Sequence, residues 1–132
     1  MRNKGQTAIE FFIVFGTMMF IFVSIVGLIS YNMGQKAFEK RNYAIKEIAL
    51  SLQDEINLAQ NSGEGYSRSF KMPNTVVGNY YQISIIDSNY IYIISDDGRI
   101  ALSLPTYNVD GQPVVNGINT ISKRNGEIHL NS

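Results

Sequence analysis

The sequence has no cysteine, a single histidine and three prolines. Without cysteine there is no disulfide scaffold, no thiol nucleophile and no thiolate metal site, although compartment stays open. Neither charge sign is in excess. Lys and Arg total 11, Asp and Glu total 11, and the basic surface of a general nucleic-acid binder is missing. No GxxxxGK[ST] loop occurs, so this chain carries no nucleotide motor of its own. His129 lies in a strand-like alternation near the C-terminus and reads as a surface or edge residue. No sequence context marks a nucleophile for it to serve. Asp96, Asp97 and Asp110 read as turn residues, since the EF-hand spacing is absent. No N-x-[ST] acceptor is present. Catalytic, cofactor and metal residues are therefore assigned to none, and the expectation is a protein without catalysis.

Charge is also missing locally. Phe11 to Ile29 reads "FFIVFGTMMFIFVSIVGLI", 19 residues without an ionisable side chain. As a helix it spans roughly 28 Å, close to the hydrocarbon thickness of a bilayer. Thr17 and Ser24 are compatible with this, because their hydroxyls can bond to the carbonyls of their own helix. Gly16 and Gly27 allow close approach of a neighbour in a membrane. Arg2 and Lys4 precede the run and favour a cytoplasmic N-terminus, with the remainder outside. A secretory signal fits less well, because its apolar core is shorter and no small-x-small site follows in "SYNMGQKAFEK".

The helical pattern continues past the apolar run. Phe38, Ile45, Ile48, Leu52, Ile56 and Ala59 recur at steps of three, four and seven, with Ala44 and Ala49 beside them. Lys36, Lys40, Lys46, Glu47, Asp54 and Glu55 fill the polar side. No proline falls between 6 and 60, so one helix is expected over 6–60, ended by "NSGEG". Gly34 is its weakest point and the expected place for a bend.

Beyond Gly65 the period becomes two. "YSRSFKM" reads loosely as a strand closed by Pro73. In "YYQISII", Tyr81, Ile83 and Ile85 share a face. In "YIYIIS", Ile91 and Ile93 lie opposite Tyr90, Tyr92 and Ile94. In "RIALSL", Ile100, Leu102 and Leu104 line up. "DSN" and "DDG" supply tight turns, which makes an antiparallel meander. "DG" at 110–111 and "NG" at 116–117 and 125–126 mark further turns. Short strands are expected around Val114–Val115, Ile118–Ile121 and Glu127–Leu130. The meander's apolar face needs a cover, and the stripe on residues 38–59 supplies one. The expected fold class is α+β, a long N-terminal helix packed in its second half on a small antiparallel β-sheet head over 66–132. Tyr66, Tyr80, Tyr81, Tyr90 and Tyr92 fall in this β region, mostly as strand residues packing on neighbours, with an exposed adhesive patch as the other reading for some of them.

Glu10 stands at the edge of the apolar run. A carboxylate there is costly unless it is paired or reaches water. It can snorkel to the headgroups. It can also meet an opposite charge: a cut after Gly5 would give Gln6 a positive α-amine one turn away, and a staggered neighbour's amine could then neutralise Glu10.

"KGQTAIEFF" resembles the class III signal peptide of archaeal type IV pilins. The match covers roughly residues 2–30: a basic leader, a glycine before a glutamine, and a glutamate with phenylalanine opening the hydrophobic helix. Ala8 departs from the serine common in that family. The resemblance implies a leader over 1–5, cleaved between Gly5 and Gln6 by a membrane-bound prepilin peptidase. Glu10 and Phe11 would then guide assembly and register. It implies a structural subunit of an extracellular type IV pilus-like filament for surface adhesion. Its partners would be copies of itself, a pilus assembly ATPase and a membrane platform protein. Before assembly it would be a single-pass membrane protein. TadE-like bacterial pseudopilins, minor members of pilus machines, resemble the same stretch; archaellins share the overall plan but usually lack the glutamine-to-glutamate pattern. A single-pass membrane protein with an outside binding head is the remaining alternative.

Overall fold

The computed structural model of the chain describes residues 4–113, 115 and 117–132. Helix α1 spans Lys4–Asn61 and is unbroken through Gly34. Among the described residues seven strands follow: β1 Ser67–Lys71, β2 Tyr81–Ile86, β3 Tyr90–Ser95, β4 Ala101–Pro105, β5 Val109–Gly111, β6 Ile118–Arg124 and β7 Glu127–Leu130. The contacts divide the chain into two units between Glu39 and Lys40.

Among the described residues the first unit is helix alone. Its side chains from residue 5 to residue 39 are all exposed. Thr17, Ser24 and Asn32 turn back on the backbone of their own helix. Thr17 Oγ1 donates to the carbonyl of Ile13 at 2.8 Å, and Ser24 Oγ to that of Phe20 at 2.8 Å. Asn32 Nδ2 does the same toward Leu28 at 3.0 Å.

In the second unit the helix is amphipathic. Ile45, Ile48, Ala49, Leu52, Ile56 and Ala59 are buried, at the three- and four-residue steps of one helical face. Phe38, expected in this stripe, is exposed and belongs to the first unit instead. The buried face joins Ile83, Ile85, Ile91, Ile93, Ile121, Ile128 and their neighbours in one apolar cluster. Helix α1 ends in "NSGEG", where Gly65 takes a φ of 83° that favours glycine. Its last turn has no basic residue. Lys123 of β6 supplies the cation from across the fold: Nζ donates to the carbonyls of Gln60 at 2.7 Å and Ser62 at 3.0 Å.

The expected α+β architecture is present, and β2, β3 and β4 form the antiparallel meander. Asp87 and Ser88 turn the first hairpin with φ values of 51° and 59°. Gly98, with its N–H on the Ser95 carbonyl at 2.8 Å, turns the second. The rest of the head differs from the single antiparallel sheet expected. A second, four-stranded sheet has the order β1-β6-β7-β5, and β5 runs parallel to β7. The "DG" at 110–111 is not a turn; both residues lie in β5. Gly111 is there for close approach, since a Cβ on it would lie 1.9 Å from the Leu130 carbonyl oxygen at a φ of 102°. The "NG" at 125–126 does turn, with φ values of 54° and 80°, and joins β6 to β7. Of the strand expected at Val114–Val115, Val115 lies in a turn, while Val114 and the Asn116 of the other "NG" fall outside the described residues.

A polar chain ties the two sheets together. Gln112 treats Ile85 as a strand would, accepting its N–H at 2.8 Å and donating to its carbonyl at 2.9 Å. Asn131 Nδ2 donates to the Gln112 carbonyl and to Asn119 Oδ1, both at 2.8 Å. Asn119 is fully buried, so this bond offsets the desolvation of its amide. The β2 edge at Ile85 is closed by the same device.

Candidate functional site

The residues singled out in the sequence, Gly5, Gln6, Glu10 and Phe11, all lie in the first turns of α1 and are exposed. Gln6 and Glu10 are four apart and share a face of the helix. Phe11 stacks on Phe15 with ring centroids 6.0 Å apart and 16° between planes, at the same spacing. Glu10 has no ion pair within the chain among the described residues. Of the basic residues that precede the apolar run, Arg2 falls outside the described residues.

A Cβ placed on Gly5 meets nothing within 4 Å. The fold therefore has no packing need for glycine there. The bond between Gly5 and Gln6 sits in the first helical turn, where amide donors lack intrahelical partners. Exposing it as extended chain costs little, because unwinding the end breaks few hydrogen bonds.

From Phe11 onward the rod is uncovered, with Phe20 75% and Phe22 62% exposed. Among the described residues this is one helix long and apolar enough to cross a membrane. Gly16, Gly27 and Gly34 likewise have open space around a notional Cβ. Each costs about 1 kcal/mol of helix stability relative to alanine, with no compensating contact inside the single chain.

In the head, the recess between residues 44–52 of α1 and residues 70–77 has a volume of about 350 Å³. Its only ionisable lining groups are Glu47 and Lys71. Among the described residues no three His, Cys, Asp or Glu side chains gather as metal ligands would. Asp97 is already occupied: Oδ1 accepts from Ser95 Oγ at 2.6 Å and from the Arg99 N–H at 3.1 Å. These bonds, with the Arg41 and Arg99 charges, hold its carboxyl below the usual aspartate range. Asp110 lies in β5, 3.4 Å from His129 Nδ1. His129 is half-buried on β7, an interior strand and not an edge. Tyr81 is buried, its hydroxyl donating to the Pro73 carbonyl at 2.6 Å, and burial pushes it up to about 12. Tyr80 and Tyr90 are exposed.

The sequence reading missed the long-range polar contacts: Arg41 on Asp97, Lys123 on the helix end, and the chain from Asn119 to Gln112. Each joins residues far apart in sequence, and no local pattern announces such a pair. Compared with models of known protein families, with curated proteins and with solved structures, the chain matches none.

Proposed function

We propose that this chain is a membrane-anchored display protein, a single helical anchor carrying a non-catalytic β head for binding or structural work outside the cell. One observation carries the reading. The same helix is bare and apolar over residues 11–29 and then, from Ile45 to Ala59, seals the core of a folded head. A bare apolar rod needs lipid or other apolar helices around it, because water is a poor solvent for it. The positive charges before the rod favour an N-terminus inside and a head outside.

The test is carbonate extraction followed by protease treatment of intact cells. The display reading expects the chain to stay with membranes and the head to be cleaved from outside. Release into the soluble fraction, or a head protected until the cells are broken, would sink it.

A second reading is favoured by Glu10, an acid at the mouth of the rod without an ion pair among the described residues, in the setting "KGQTAIEFF". In that reading the prepilin peptidase cuts between Gly5 and Gln6. Copies of the chain then bundle their rods into a type IV pilus-like filament, with an ATPase and a platform protein driving assembly. The chain is then a major pilin or a scarce, TadE-like minor one. Mass spectrometry of sheared surface material decides it: the reading requires an N-terminal peptide that begins at Gln6. An intact Met1 in assembled material rules out the cut.

A further inference from the structure

The inner face of the β2-β3-β4 sheet is core, and its outer face is open. Register places Tyr92 between Ser84 and Ser103 in one cross-strand row, and Tyr90 between Ile86 and Pro105 in the next. The third row begins at Gln82 and is equally uncharged. No residue of the three rows is buried; Tyr90 is 48% exposed and Ile86 42%. The charges of this region stand at its ends, in the turns holding Asp87, Asp96, Asp97 and Arg99. Gln82, Ser84 and Ser103 form no side-chain hydrogen bond within the chain among the described residues.

We infer that this face binds a neutral glycan chain. The absence of charge leaves acidic and basic polymers without a counter-ion. Tyr90 and Tyr92 lie two residues apart on one strand, so their rings stand about 7 Å apart on the same face. The negative faces of such rings suit the C–H faces of sugar rings. The free amide and hydroxyls beside them suit sugar hydroxyls, and both partners keep their hydrogen bonding on contact. Size points the same way. Three strands by three rows cover about 300 Å², whereas a stable protein partner takes about 800 Å² from each side. A few sugar rings fit; a second head does not.

The inference deepens the display reading, which makes the face available to a glycan. Its test is independent of topology, because binding is measured on the full chain in a sugar-free amine-oxide detergent. The protein lacks tryptophan, so tyrosine emission reports directly. The probes are the hexamers of cellulose, laminarin and mannan, with hexagalacturonate as the acidic comparison. At least one neutral hexamer should give a saturable change and the acidic one none. Tyr90→Ala and Tyr92→Ala should each weaken binding about tenfold or more, a change of a decade in Kd. Ser103→Lys keeps both rings and sits at an exposed position, so it should fold and also lose binding. Tyr43→Ala, on the exposed side of α1, should bind as the parent does. No saturable neutral ligand, or undiminished binding in the folded Ser103→Lys variant, overturns the inference. So does concentration-dependent self-association that Ser103→Lys abolishes in the absence of glycan binding, which assigns the face to a second copy.

Discussion

Arg41 lays both terminal guanidinium nitrogens 2.9 Å from one oxygen of Asp97. The pair joins α1 to the turn between β3 and β4. The other Asp97 oxygen is held by Ser95 and the Arg99 N–H, so a single carboxylate organises the turn and its contact with the helix.

Acid should loosen this contact. The Ser95 hydroxyl, then the Arg99 N–H, favour the charged carboxylate, and its folded pKa lies below the unfolded value of about 3.9. Stability from Asp97 is thus present above about pH 4 and is lost as pH falls through the folded value. Asp97→Asn should show a smaller fall in Tm over that acid range than the parent. Parallel Tm–pH curves for the two proteins would refute the assignment.

Alkali should act through Tyr81. Its folded pKa is raised to about 12 by burial, against an unfolded value near 10. A raised pKa contributes stability below about pH 10 that is lost as pH rises toward the folded value. Ultraviolet titration should show a late tyrosine step toward pH 12. Tyr81→Phe should remove that late step and cost about 1 kcal/mol at neutral pH through the bond to Pro73.

Gly111 should tolerate no side chain. A Cβ would meet the Leu130 carbonyl oxygen at 1.9 Å, where backbone is paired with backbone. Gly111→Ala combines that clash with a left-handed φ and should cost about 2–4 kcal/mol in urea unfolding. Gly98 has a φ of 67° but open space, so Gly98→Ala should cost only about 1–2 kcal/mol. Equal costs would show that close approach is not the reason for glycine at 111.

Gly5 and Glu10 separate processing from assembly. Gly5→Ala meets no atom in the fold, so it should leave head stability unchanged. In the filament reading a bulkier residue at this position should leave unprocessed protein in the membrane, visible as slower migration on an immunoblot. Glu10→Gln keeps size and helix propensity while removing charge. It should leave processing intact and reduce filament yield, since an unpaired charge in an apolar bundle costs about 3–5 kcal/mol. Normal filament yield would return Glu10 to the headgroup layer.

Period and punctuation determined much of this protein before any folding was considered. An uncharged run, an amphipathic stripe without proline, and alternating strands broken by "DSN" and "DDG" each express a local rule. A helical turn reads its own neighbours three and four residues away, and a strand its own alternation. The anchor, the helix to Asn61 and the β2-β3-β4 meander were legible for that reason. So was the position of Glu10 at the mouth of the rod. Tertiary structure alone decided what joins distant residues. It set β5 beside β7 in parallel, which turned a turn-like "DG" into a strand with a glycine under a carbonyl. It brought Lys123 to the end of α1, Arg41 to Asp97 and Gln112 to the edge of β2. Such contacts follow from which surfaces bury together and which polar groups would otherwise stay unpaired, a balance taken over the whole core and written in no single segment.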